Sequence, residues 1–142
     1  MKLVDANVLI YAADRKSALH APAIDWLDSA LAGRETVAFA WISLVAYIRI
    51  TTHPSLFANP NSAEGAMDAV TGWLDAPTTA VLEPGSRHIE LLKKCVRDAR
   101  GAGDVVNDAH LAALALEHRA DIVSFDHDFA RFDGVRWIKP GR

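Results

Sequence analysis

Short apolar or β-branched runs alternate along this chain with stretches of helical length, and no other feature so narrows the folds open to it. The runs lie at residues 2–5, 36–40, 79–82, 122–124 and 135–138. Stretches of ten or more residues with helical periodicity fall between most of them, so consecutive strands are expected to be joined by crossovers and to lie parallel. A parallel sheet needs cover on both faces. The expected architecture is therefore an α/β fold, a three-layer α/β/α sandwich with a mainly parallel central sheet. In such sheets the functional crevice lies beyond the carboxyl ends of the strands.

The 142 residues, 51% of them hydrophobic, fit one domain with its own core, here 1–142. Cys95 is the single cysteine, which rules out an intramolecular disulfide or a thiolate zinc cluster and suits the reducing cytoplasm. The N-terminus lacks a basic leader, and no apolar run approaches the ~18 residues of a membrane span, so neither secretion nor membrane insertion is expected. Net charge is −3, unevenly spread: residues 1–85 hold five Lys/Arg against nine Asp/Glu, and residues 86–142 hold ten against nine. A polyanionic partner would have to meet a local basic patch.

The helices are read as follows. A helical turn starts at Val8, and Ala23, Ile24, Leu27, Ala30 and Leu31 mark an amphipathic helix over about 21–31 that stops at Gly33. Over 42–51, Ile42, Val45, Ala46, Arg49 and Ile50 share a face, and His53-Pro54 ends the helix. Asn61 and Glu64 have capping-box spacing for a helix running to about Leu74. After Gly85-Ser86 a helix presents Ile89, Leu92, Val96 and Ala99 as its core face and stops at Gly101 or Gly103. Asp104 is placed to cap the next, which runs to Glu117-His118-Arg119. The tryptophans Trp26, Trp41, Trp73 and Trp137 are read as core or interface anchors.

Asp5 and the pair Asp126 and Asp128 stand at carboxyl ends of expected strands, and Asp108 lies in the opening turns of the helix that leads to the Asp126 strand. Singly, each has an ordinary reading as a turn former or helix-terminus acid. Gathered at one sheet edge without matching cations, they would repel one another, raise their pKa values and oppose folding unless a divalent cation offset them. An all-oxygen donor set suits Mg²⁺, with Mn²⁺ as a substitute. The six histidines show no zinc-ligand spacing and are read as solvated or capping, and no Gly-rich phosphate loop is present. Arg49 and Arg131 are the arginines that could face phosphate, with packing or ion pairing as the alternative reading.

Three blocks, Leu3-Val4-Asp5-Ala6-Asn7, Asn107-Asp108-Ala109-His110-Leu111-Ala112-Ala113 and Ser124-Phe125-Asp126-His127-Asp128-Phe129, resemble in order and separation the acidic blocks of PIN-domain nucleases. Together with Arg49-Ile50-Thr51-Thr52-His53-Pro54, they are most similar to VapC-type toxins of the actinobacterial branch. The resemblance implies a cytoplasmic, Mg²⁺-dependent endoribonuclease toxin of a toxin–antitoxin module, hydrolysing RNA phosphodiester bonds by metal-activated water. It implies Asp5, Asp108 and Asp126 as metal ligands, Asp128 as an auxiliary acid, and Asn7 orienting the Asp5 loop. Arg49 is a candidate substrate contact. The implied partners are RNA, a small cognate antitoxin and a second copy of the chain. Many PIN nucleases carry a Glu where this chain has Ala46, so at most one well-occupied Mg²⁺ is expected.

Two other readings stand beside it. A non-catalytic PIN-like module binding RNA or protein is motivated by Ala46. A haloacid-dehalogenase-like phosphatase shares the strand ending in Asp, but needs a second Asp where this chain has Asn7.

Overall fold

The computed structural model describes residues 1–141. Five parallel strands, β1 (Lys2–Val4), β2 (Val37–Phe39), β3 (Thr79–Val81), β4 (Asp121–Val123) and β5 (Trp137–Ile138), form one sheet in the order β3-β2-β1-β4-β5. The helices are α1 (Ala6–Ala13), α2 (His20–Ala32), α3 (Trp41–Thr51), α4 (Ala63–Asp75), α5 (His88–Ala99) and α6 (Val105–His118), and a short 3-10 helix spans His127–Arg131. Among the described residues, no helix is long and apolar enough to cross a membrane.

Period-2 alternation sorts the strand side chains into two cores. Leu3, Ala38 and Ile122 face α5, α6 and the Phe129/Phe132 pair. Val4, Val37, Phe39 and Val123 face α1 to α4. Helices therefore cover both faces, the three-layer arrangement that nearly continuous apolar strands demand. β1 lies at the centre of the sheet with β4 beside it, so the chain leaving β1 at Asp5 and the chain leaving β4 at Ser124 emerge side by side. The Asp5 N–H donates to the Val123 carbonyl at 3.0 Å.

One helix buries a different face from the one expected, and a second is turned slightly. In α3 the core side is Ser43, Leu44, Tyr47 and Thr51, whereas Val45 and Arg49 face solvent. Tyr47 and Phe39 close on Trp73, at 4.8 Å edge-on and 6.1 Å stacked, and these aromatic contacts outweigh the stripe through Ile42 and Val45. In α5 the face is turned only in part: Ala99 is buried and Leu92 and Val96 pack against the core as expected, but Cys95 is the other fully buried residue and Ile89 is exposed. Both helices carry apolar residues around much of their circumference, so the neighbours select the buried side.

The ends also differ in detail. Helix α1 starts at Ala6, capped by Asp5, instead of at Val8. Ser62, not Asn61, caps α4, its Oγ accepting the Gly65 N–H at 3.0 Å, while the Asn61 N–H is used on the Thr51 carbonyl. Arg100 rather than a glycine takes the left-handed position that stops α5, with φ 54°. Asp104 precedes α6 without a side-chain capping bond. Of the tryptophans, Trp41 is 48% exposed and anchors no core.

Candidate active site

Asp5 follows the last residue of the central strand and caps α1. Its Oδ1 accepts the Ala6 N–H at 2.7 Å and its Oδ2 accepts the Ser124 hydroxyl at 2.7 Å. Both oxygens are thus held before any ligand arrives. Ser124, fully buried just beyond β4, also accepts from Asn7 Nδ2 at 3.0 Å and from the Asp126 N–H at 3.0 Å. A hydroxyl has one proton and two lone pairs, and all three are used. Asn7 completes the tie by accepting the Phe125 N–H with Oδ1 at 3.2 Å. One serine and one asparagine therefore lock the segment after β1 to the segment after β4.

That lock aims Asp126 outward, where it caps the 3-10 helix by accepting the Asp128 N–H at 2.9 Å. Asp108 arrives from a third direction, in the first turn of α6, where the positive helix end favours a carboxylate. One carboxylate oxygen from each of Asp108, Asp126 and Asp128 lies within 4.8 Å of the others. Asp5 stands beside this group, sharing with Asp108 a cleft of about 120 Å³ lined also by Ile42, Ser43, Ala46 and Asn107.

The electrostatics show the strain of gathering acids. Burial, followed by the charges of Asp5, Asp126 and Asp128, raises the Asp108 pKa to about 6, with Arg131 opposing. Burial also raises that of Asp5, against the hydrogen bonds from Ser124 and Ala6 and with Asp126 adding to the rise. Arg131 brings a positive charge to this edge: its Nη2 lies 3.4 Å from Asp128 Oδ2 and its Nε donates to the Asp128 carbonyl at 3.2 Å. An all-oxygen group with a surplus of negative charge fits a hard divalent cation such as Mg²⁺, which takes one or two carboxylates and keeps several waters. The site offers neither thiolate nor imidazole that would select zinc.

This arrangement of acids at the end of a parallel sheet has a match across the chain: the model of the PIN domain fits residues 2–135. The chain belongs to the PIN-domain family. Among its relatives, Ribonuclease VapC37 of Mycobacterium tuberculosis is 49% identical over 99% of this chain and 97% of its own length. Ribonuclease VapC25 of the same organism is 35% identical over 99% of both chains. In fold, the chain resembles VapBC2 from Rickettsia felis (TM-score 0.71, 13% identity, 98% of each chain covered). It also resembles VapC20 of M. tuberculosis (TM-score 0.67, 17% identity, covering 96% of this chain and 99% of that one).

Of the site residues read from sequence, Asp5, Asn7, Asp108, Asp126 and Asp128 all stand at this one edge. The closed three-acid group contains Asp128 where the expected ligand set has Asp5. Arg49 lies exposed in the last turn of α3, outside the residues that line the cleft. Ala46 does line it, so its methyl group faces the acids where a carboxylate would stand in many family members. Sequence reasoning passed over Ser124 and Ser43. The signal for Ser124 was present: a small polar residue directly after an apolar strand and two residues before an acid is well placed to bond the backbone.

Proposed function

We propose that this PIN-domain chain is the endoribonuclease toxin of a toxin–antitoxin module, acting in the cytoplasm on RNA and using one Mg²⁺, or Mn²⁺, at the aspartate cluster. The observation that carries the reading is the closing of Asp108, Asp126 and Asp128 to within 4.8 Å beside an Asp5 whose oxygens are both hydrogen-bonded. The names of its relatives support the same reading. When bound, the cation supplies Lewis-acid stabilisation of phosphoryl charge and lowers the pKa of water.

The side chains do the rest. Asp5, Asp108 and Asp126 would hold the cation, with Asp128 as an auxiliary acid within reach of the last two. Asp5, pinned by Ser124 and Ala6, presents a carboxylate of fixed orientation toward the same cleft. Asp108, with its pKa raised to about 6, is mostly ionised at neutral pH, and its proton affinity falls further when positive charge enters the cluster. Arg131 keeps Asp128 in place at the outer lip and gives an approaching phosphate one favourable contact among the acids. The exposed Trp41 and Val45 on α3 offer an apolar surface suited to a second copy or to an antitoxin segment.

The test is cleavage of RNA by the purified chain with Mg²⁺. Cleavage should vanish in EDTA and fall by at least ~10²-fold in Asp126→Asn; full activity in that variant would refute the reading. The second reading, a binding module that does not cut, is favoured by the Ala46 methyl in the cleft. RNA retention in EDTA with no cleavage under any divalent cation would establish it. Membership of the PIN family, with Asn7 committed to Ser124 and Phe125, leaves the phosphatase reading without support.

A further inference from the structure

Away from the acids, α6 holds the loop between β3 and α5 through three side chains. Glu117 Oε1 accepts the Gly85 N–H at 2.8 Å, His118 Nε2 donates to the Glu83 carbonyl at 2.8 Å, and His110 Nδ1 lies 2.9 Å from His88 Nε2. The first two are ordinary hydrogen bonds; the third is different in kind. Two imidazoles from different helices face each other nitrogen to nitrogen, with ring planes at 72°. One proton lies between them. Whichever ring carries it, His88 Nδ1 is buried without a partner: it is an N–H lacking an acceptor, or a lone pair lacking a donor. That costs ~1–3 kcal/mol, with or without a metal on the other nitrogen.

As a ligand pair it is well disposed. Neutral imidazole nitrogen is the commonest protein donor to zinc, nickel and copper. Two nitrogens at ~2.0–2.1 Å from a tetrahedral Zn²⁺ stand roughly 3.3 Å apart, so the present 2.9 Å need widen by only about 0.4 Å. Each ring must also turn by roughly 35° so that both lone pairs converge on the metal. We infer that His88 Nε2 and His110 Nδ1 form a second cation site, selective for Zn²⁺ or a similar nitrogen-seeking metal and completed by water. It is chemically separate from the oxygen-only aspartate cluster, which takes hard cations. Occupancy ties the first residue of α5 to the helix that carries Asp108. Coordination leaves one proton on His88 Nδ1 and one on His110 Nε2, so two neutral rings bind the metal with no net proton release.

The probe is Zn²⁺ titrated into the full chain with Mg²⁺ in large excess, read by competition with a chromophoric zinc indicator. The parent should bind one Zn²⁺ under these conditions, and His88→Gln and His110→Gln should each weaken binding at least about tenfold. Asp126→Asn should leave it unchanged. Zinc binding that is absent in the parent, unaffected by either histidine substitution, or lost in Asp126→Asn would overturn the assignment. A measurement on the parent guards against variants that fail to fold: zinc should shift the imidazole proton resonances of His88 and His110, and shifts confined to the other four of the six histidines would equally overturn it.

Discussion

Asp108→Asn should make the metal-free protein more stable while destroying its activity. The carboxyl of Asp108 goes from an ordinary 3.8 to about 6 because it is buried among Asp5, Asp126 and Asp128. Below pH ~4 the group is protonated in both folded and unfolded chains and contributes nothing. Between pH ~4 and 6 the unfolded chain ionises first, so stability falls as pH rises, and above ~6 the penalty is constant. At 1.36 kcal/mol per unit, a shift of about two units corresponds to ~3 kcal/mol; screening of a half-buried group by water and salt reduces it to ~1–2 kcal/mol. Asparagine keeps the shape and removes the charge, so the variant should recover that amount at pH 7.5 in EDTA and almost none of it at pH 4. Urea unfolding of parent and variant at both pH values measures this directly. Saturating Mg²⁺ should reverse the order, because it stabilises the parent by RT ln(1 + [L]/Kd) and the variant far less. Equal stability of the two proteins at pH 7.5 in EDTA, or an identical gain at pH 4 and 7.5, would refute the electrostatic account of the cluster.

Two further substitutions examine the scaffold of the site. Ser124→Ala removes the donor to Asp5 Oδ2 and the acceptor for Asn7 Nδ2 and the Asp126 N–H, and should cost ~2–4 kcal/mol in urea unfolding. It should also move the acid limb of the pH–rate profile upward, since the Ser124 bond holds the Asp5 carboxyl down; a parent-like profile would show the serine to be inert. Ala46→Glu returns a carboxylate to the cleft beside Asp5 and Asp108. It should tighten Mg²⁺ binding by about tenfold in calorimetry and lower metal-free stability by ~1 kcal/mol, and unchanged metal affinity would place residue 46 outside the ion's reach.

The amino-acid sequence determined the architecture, and the gathering of acids at one sheet edge, almost unaided. Five short apolar runs spaced by helical stretches admit little besides a parallel sheet clothed on both sides. Acids at the ends of the first and fourth runs then had to share an edge, because every strand of a parallel sheet ends on the same side; that those two strands are neighbours is the structure's contribution. The PIN-like order of the three acidic blocks was legible for the same reason. What tertiary structure decided was every question of facing. Helices α3 and α5 have apolar residues on more than one side, so their periodicity identified them as helices without saying which stripe meets the sheet; Trp73 settled α3, and the α6 neighbours of Cys95 settled α5. Asp128 comes within 4.8 Å of Asp108 and Asp126, and Ser124 fixes the Asp5 carboxylate beside them, a partner 119 residues away that no local pattern encodes. His88 and His110 are 22 residues apart and meet only because α5 lies against α6. Local patterns record propensity and burial on average; contacts between elements distant in sequence exist only once the sheet has put them there.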